Sequence, residues 1–267
     1  TTAKLLKARM FKTTCTKFRT ALGDTRCVAY DFFNVAFALA ILARCVSSYP
    51  KQRVSVMSSI RIVIFAKLPL AGFAKTRLIP ALGAEGAARL AQQMLHHTVR
   101  EALAAAVGTV ELCVTPSPEE PEWRQQKLPH EVSWSCQGEG DLGDRLSRAA
   151  QRTIQSGESI LLIGTDCPAL NAKKIKEAAQ ALSHSDAVLI PATDGGYVLL
   201  GVNQFHEVLF NNIAWSTATV FDKTMVRIQQ LEWTATVLPA CHDIDEPSDL
   251  AYLPKAWRVR EISREQV

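Results

Sequence analysis

The seven cysteines, at 15, 27, 45, 113, 136, 167 and 241, form no CxxC pair, and the six histidines form no HExxH. The first absence excludes a zinc ribbon. With so sparse and odd a count it also excludes a disulfide framework, and reduced thiols are expected. The second excludes a classical zinc hydrolase. GxxxxGK followed by Ser or Thr is missing too, so there is no P-loop. Near the amino terminus the longest clean apolar run is Val35–Ala43. A bilayer span needs about 20 such residues, so no stable membrane span is expected. Acids are scarce in residues 1–57, with two Asp against ten Lys/Arg, a charge of +8. The other residues hold 24 acids and 20 Lys/Arg, a charge of −4. The overall +4 therefore belongs to the leading segment. An acidic body with 7% aromatics and no stacking stripe argues against nucleic acid as a partner. A cytoplasmic location is expected.

Residues 1–57 are set apart as a basic and then apolar extension. Its outline fits a signal peptide, although the apolar part sits late and lacks a clear small-residue cleavage site. Its acid-poor composition fits a transit-like peptide. An upstream extension is the third reading, since Met57 directly precedes the first strand-like run. Residues 58–267 are read as a single domain.

Within that domain, Ile60–Lys67 and Ser159–Ile163 are short, nearly continuous apolar runs, as in strands buried on both faces. Further strands are expected at Thr109–Val114, Glu131–Cys136, Ala187–Ile190, Tyr197–Val202 and Thr234–Leu238. Helices are expected at Ala84–Ala106, from about Asp141 to Ser156, from Asn171 to Ser183, at Thr217–Leu231 and at Glu246–Leu253. Pro116, Pro118 and Pro121 read as a loop. Alternating strands and helices imply a three-layer α/β/α fold with a mostly parallel sheet. Such sheets bind ligands beyond the carboxyl ends of their strands, and the polar motifs lie there.

The loop after the first strand contains Lys67, Pro69, Gly72, Lys75, Thr76 and Arg77. A glycine permits close backbone approach and the cations supply charge and paired donors, a combination suited to phosphates. A solvated basic turn is the bland alternative. Asp166 follows the Ser159–Ile163 strand in Gly-Thr-Asp-Cys-Pro, where one carboxylate can hold Mg²⁺ or Mn²⁺ or cap the next helix. Asp243 and Asp245, two apart in extended chain, point to one side. Asp245 also stands where a helix cap belongs, yet four acids fall in seven residues, more than a cap needs. Asp194-Gly195-Gly196-Tyr197 reads as a ligand-approaching loop or as a hairpin turn. Gly140, Asp141 and Arg145 lie in a Gly-rich loop where Asp141 also suits an N-cap. Trp215 either stacks on a ligand or plugs the core, and Ser216 is a candidate cap for the next helix.

Six segments run in order through the domain: FAKLPLAGFAKTRL, QGEGDLGDRL, LIGTDCPAL, DGGYVLLG, WSTATVF and DIDEPSDL. Together they resemble the nucleotide-diphospho-sugar transferase superfamily with the glycosyltransferase A fold. More narrowly they resemble a bacterial family, DUF2064, linked to arsenosugar and radical-SAM pathways. The resemblance implies that Lys75 and Arg77 contact nucleotide phosphates. Lys67, Pro69, Gly72, Thr76, Gly140, Asp141 and Arg145 complete that nucleotide site. It implies metal ligation by Asp166, Asp243 and Asp245, with Mg²⁺ or Mn²⁺ as cofactor. Asp194 then serves catalysis beside Lys75 and Arg77, and Gly195, Gly196, Tyr197, Trp215 and Ser216 line the substrate. The implied partners are a nucleotide-sugar or NTP and a small-molecule acceptor. One departure stands out. Cys167-Pro168 follows Asp166, so the second Asp of a D-x-D motif is missing, as in the nucleotidyltransferase branch. The expected activity is glycosyl transfer. Nucleotidyl transfer is the rival, and a nucleotide-binding module without turnover is the third reading.

Overall fold

The structure is a computed structural model and describes residues 59–257. The leading extension, residues 1–57, lies outside the described residues. Seven strands form one sheet: β1 (Ile60–Lys67), β2 (Gly108–Thr115), β3 (Ser133–Cys136), β4 (Ser159–Ile163), β5 (Ala187–Pro191), β6 (Tyr197–Val202) and β7 (Ala235–Val237). Their order is β3-β2-β1-β4-β6-β5-β7. Every neighbouring pair is parallel except those involving β6, which runs antiparallel to β4 and β5.

Strand alternation sends successive side chains to opposite faces, so two cores form. Ile62, Ile64, Leu112 and Val188 point to one face. There they meet Leu95, Val99 and Ala102 of α1 (Ile79–Ala105) and Ile175, Ala178 and Leu182 of α4 (Ala172–Leu182). Val63, Cys113, Leu162 and Leu189 point to the other. They meet Leu146, Ala149 and Ala150 of α3 (Leu142–Gln155) and Ile228 of α5 (Val220–Gln230). This is the expected three-layer α/β/α arrangement. A short α2 (Pro121–Gln125) occupies part of the stretch expected as a proline loop. Pro121 at its start suits the first turn, where no N–H is needed, and Trp123 anchors it in the core.

A third, smaller cluster matters most for the site. Leu78, Leu90, Met94, Ile244 and Leu253 pack together, each nearly or fully buried. Leu78 ends the loop after β1, and Ile244 lies in the segment after β7. Full burial of a Leu or Ile side chain contributes about 1.5–3 kcal/mol. Apolar packing thus joins two loops far apart in sequence. The backbone adds a link to β4, where Ile244 N–H donates to the Asp166 carbonyl at 2.8 Å.

Candidate functional site

Four segments converge at the carboxyl end of the sheet. Lys75 comes from the loop after β1, Asp166 from the loop after β4, Asp194 from the β5–β6 turn, and Asp243 and Asp245 from the segment after β7. Lys75 Nζ lies 2.6 Å from Asp166 Oδ1 and 2.6 Å from Asp245 Oδ1. It also donates to the Ile244 carbonyl at 2.6 Å. The Lys75 side chain is 9% exposed, and the two carboxylates hold its ammonium above the usual lysine range despite burial, which acts the other way. Lys75 itself adopts left-handed backbone geometry, φ 49°. Asp194, Asp243 and Asp245 each present a carboxylate oxygen, and these oxygens lie within 4.8 Å of one another. Burial, then the negative charges of Asp194, Asp245 and Asp166, push the Asp243 carboxyl up to about 6.

Each capping alternative has a definite outcome. Helix α4 is capped by Asn171, whose Oδ1 accepts Lys174 N–H at 3.1 Å, and not by Asp166. The 3₁₀ turn at Pro247–Tyr252 is capped by Glu246 and Asp249 as a capping box. Asp245 is thereby left to face Lys75. Asp141 does serve as a cap. Its Oδ1 accepts Asp144 N–H at 2.9 Å, and Asp144 reciprocates toward Asp141 N–H at 3.1 Å. Arg145 donates through Nε to the Gly140 carbonyl at 3.0 Å and through Nη1 to Gln137 Oε1 at 3.3 Å. Gln137 in turn donates to the Ala66 and Cys113 carbonyls, at the carboxyl ends of β1 and β2. This loop is therefore fixed to the sheet by Gln137 and Arg145.

The Asp194 loop is a hairpin turn and a site segment at once. Asp194 Oδ1 accepts Gly196 N–H at 2.8 Å. Gly195 has φ +91°, and a Cβ there would overlap the Ala218 carbonyl, so only glycine fits. Ser216, Thr217 and Ala218 are exposed beside it, while Trp215 is half-buried. Trp215 packs edge-on against Tyr197, ring centroids 6.5 Å apart, on the α3/α5 face of the sheet. Tyr197 OH and Trp215 Nε1 are buried without a hydrogen-bond partner, and burial pushes the Tyr197 phenol up. Trp215 thus plugs the core.

The remaining cations divide. Lys67 Nζ lies 3.9 Å from the Phe73 ring centroid, within its own loop. Thr76 and Arg77 are exposed, Pro69 is buried, and Gly72 turns the loop with φ +74°. Pro168 stands in the place of the second D-x-D carboxylate, and Cys167, between it and Asp166, is 3% exposed in the core. Burial and the neighbouring Cys241 push its thiol up to about 12.

One group escaped the sequence reading. His242 Nδ1 is 2.7 Å from Thr193 Oγ1, and its Nε2 is 3.0 Å from Asp249 Oδ1. The signal was a histidine directly before the acid-rich DIDEPSDL stretch, but nothing in sequence pairs it with Thr193.

The donors at this site are all hard carboxylate oxygens, the set that Mg²⁺ and Mn²⁺ prefer. Of the four carboxylates, Asp166 and Asp245 pair with Lys75, and Asp194 and Asp243 crowd beside Asp245. Burial and, after it, the neighbouring carboxylates raise the proton affinity of Asp243, and a divalent cation would relieve that crowding of charge. The residues therefore fit such an ion.

A family model described as "Uncharacterized protein conserved in bacteria (DUF2064)" matches residues 98–217. A crystal structure from Desulfovibrio desulfuricans G20, named provisionally as a nucleotide-diphospho-sugar transferase, is 30% identical. It has a TM-score of 0.69 and covers 75% of this chain and 88% of its own. A Methanothermobacter nucleotidyl transferase is 16% identical, with a TM-score of 0.52 over 76% of this chain and 99% of its own. The 4-diphosphocytidyl-2C-methyl-D-erythritol synthase of Anaerococcus prevotii is 11% identical, with a TM-score of 0.50 over 75% and 99%. The last two share the fold alone. No curated protein matches the chain. Among the described residues no helix is long and apolar enough to cross a membrane. On the Desulfovibrio likeness and the family match together, the chain belongs to the DUF2064 family, with the fold of the nucleotide-diphospho-sugar transferases.

Proposed function

We propose that this protein is a divalent-metal-dependent transferase that takes a nucleotide-diphospho-sugar as donor and passes the sugar to a small-molecule acceptor. The observation that carries this reading is the pairing of Lys75 with Asp166 and Asp245, with Asp194 and Asp243 grouped beside Asp245, at the carboxyl edge of the sheet. Open α/β sheets bind their ligands at that edge. Asp243 and Asp245, with Asp166 and Asp194 beside them, would hold Mg²⁺ or Mn²⁺. Bound there, the ion supplies neutralising charge for a diphosphate.

The side chains account for the rest. Lys75 and Arg77 balance the charge that grows on the departing diphosphate. Asp194 is at the exposed end of the carboxylate group and accepts a hydroxyl proton from the acceptor. As that oxygen bonds to the sugar carbon, the bond from the carbon to the diphosphate breaks. Gly72, Gly140 and Gly195 bring backbone close to the ligand. A cytoplasmic setting is part of the proposal, because nucleotide-sugars and NTPs are supplied there.

Nucleotidyl transfer is the second reading, and Pro168 favours it. With Pro168 where the second Asp would stand, the single carboxylate after β4 departs from the D-x-D pattern of sugar transfer. Product analysis separates the two. The full chain is incubated with Mn²⁺, a pool of small-molecule acceptors, and each nucleotide-sugar or NTP in turn. Release of a nucleoside diphosphate supports glycosyl transfer. Release of pyrophosphate supports nucleotidyl transfer. Binding without either product leaves a non-catalytic module.

A further inference from the structure

Backbone pairing between β5 and the segment after β7 ends short of the carboxylates. Cys241 N–H donates to the Pro191 carbonyl at 2.9 Å, Thr193 N–H donates to the Cys241 carbonyl at 3.1 Å, and Ala192 pairs with Cys241. Asp194 lies one residue beyond this last rung on one side, and Asp243 two residues beyond on the other. A carboxylate oxygen of one lies within 4.8 Å of a carboxylate oxygen of the other, so like charges crowd there. Like charges at that distance favour a wider spacing of the two segments.

What crosses the gap is a chain of side chains. Asp249 Oδ2 accepts Asp245 N–H at 3.0 Å and Glu246 N–H at 2.7 Å. Its other oxygen, Oδ1, is 3.0 Å from His242 Nε2. A carboxylate only accepts, so Nε2–H donates to it. In the neutral imidazole Nδ1 then accepts from the Thr193 hydroxyl, 2.7 Å away. The Tyr252 ring lies over the imidazole, centroids 3.8 Å apart at 33°, and holds its plane. Three polar side chains thus tie the Asp194 turn to the backbone that carries Asp245.

We propose that Thr193, His242 and Asp249 form a latch of positioning residues that sets the spacing of Asp194 from Asp243 and Asp245, and thereby the cation affinity of the site. The inference rests on the metal-binding reading above. The latch touches no ligand itself. It acts by restraining a turn that like charges push apart.

Mn²⁺ alone is the probe. Dissociation constants are measured by electron paramagnetic resonance titration of the full chain, with melting temperature in chelator recorded alongside. Thr193→Val removes one hydroxyl from an exposed position and keeps the shape. His242→Ala removes the middle of the latch. Each is expected to weaken Mn²⁺ binding about 10-fold, in the range of outer-shell substitutions at metal sites. The double variant is expected to lie within twofold of the weaker single, because both cut the same chain. His242→Asn, which keeps an acceptor near the Nδ1 position, is expected to recover part of the loss. If both singles stay within twofold of wild type while Asp194→Asn weakens binding strongly, the latch is overturned and the metal site stands. If Asp194→Asn is also silent, the latch has nothing to position and falls with the assignment of Asp194. If wild type binds no Mn²⁺, the failure is that of the functional reading. Should His242→Ala not fold, Thr193→Val decides alone.

Discussion

Lys75 and Asp245 are 170 residues apart in sequence, and their side chains meet at 2.6 Å. The contact follows from packing on either side of it. Leu78 and Ile244 share one buried cluster and bring their loops together. The ammonium then bridges Asp245 to Asp166 and offsets part of a four-carboxylate charge. Lys75→Met deletes this counter-charge and keeps the apolar stem. The Asp166 and Asp245 side chains are 47% and 39% exposed, so solvent screens the loss. In chelator the variant is expected to be less stable by about 1–2 kcal/mol. Mn²⁺ is expected to stabilise it more than it stabilises wild type. Thermal unfolding with chelator and with Mn²⁺ reads both effects.

Asp243 carries a pH dependence with a definite sign. Its carboxyl titrates at about 6 in the folded protein, above the unfolded value near 3.9. The folded state holds this proton more tightly. Its stabilising contribution is present below pH 4 and is lost as pH rises through 6. At pH 7.5 without metal the ionised Asp243 is a liability. Asp243→Asn is expected to raise stability there by about 1–2 kcal/mol, after discounting for solvent access. The gain is expected to vanish at pH 4. With Mn²⁺ at pH 7.5 the ranking is expected to reverse, since the variant loses a ligand. Denaturation at the two pH values, with and without Mn²⁺, checks the whole pattern.

Asp166→Asn separates capping from ligand chemistry. Asn171 already caps α4, and the Asp166 side chain meets Lys75. The substitution is expected to change stability by less than about 1 kcal/mol. Metal-dependent nucleotide affinity is expected to fall at least 10-fold, a cost of about 1.4 kcal/mol or more in binding. Calorimetric titration beside a melting curve reads the two quantities independently.

Gly195 is constrained by backbone on both counts. Its φ is +91°, and a Cβ would overlap the Ala218 carbonyl. Phe221 N–H also donates to the Gly195 carbonyl at 2.9 Å. Gly195→Ala is expected to destabilise by about 2–4 kcal/mol, through strain and displacement of the 215–219 segment. Gly72 also has positive φ but has open space around it, so Gly72→Ala is expected to cost about 1 kcal/mol. Chemical denaturation of the two variants gives the comparison.

The fold was largely legible because buried strands announce themselves. IRIVIFAK and SILLI are apolar on both faces, and both pack between helical layers. Asn171 and Asp141 signalled helix starts by chemistry that acts locally. Less legible was whatever depends on distant partners. Helix α5 begins at Val220 and not at Thr217, because Gly195 packs on Ala218 and the preceding residues follow that turn. The antiparallel course of β6 was signalled by Asp194-Gly195, a hairpin pair. Helix α2 was hidden by the run of prolines at 116, 118 and 121, the last of which starts it. The sequence reading grouped Asp166 with Asp243 and Asp245. In space Asp194 joins Asp243 and Asp245 directly, and Asp166 reaches Asp245 through Lys75. That arrangement arises from the β5–β6 turn lying beside the segment after β7, a tertiary fact with no local signature. His242 was opaque for the same reason, since its partner Thr193 lies 49 residues away.

The central claim is a metal-assisted nucleotide site built on Lys75 and the four aspartates. The most direct measurement is a thermal-shift panel on the full chain with UDP-, GDP- and ADP-sugars, their free diphosphates and the four NTPs, each with and without Mn²⁺. A ligand at 100 times its Kd adds about 2.7 kcal/mol, a readable shift. The account predicts stabilisation by one nucleotide-sugar and its diphosphate that requires Mn²⁺ and disappears in Asp245→Asn. No shift with any nucleotide, or a shift indifferent to both Mn²⁺ and Asp245, would contradict it.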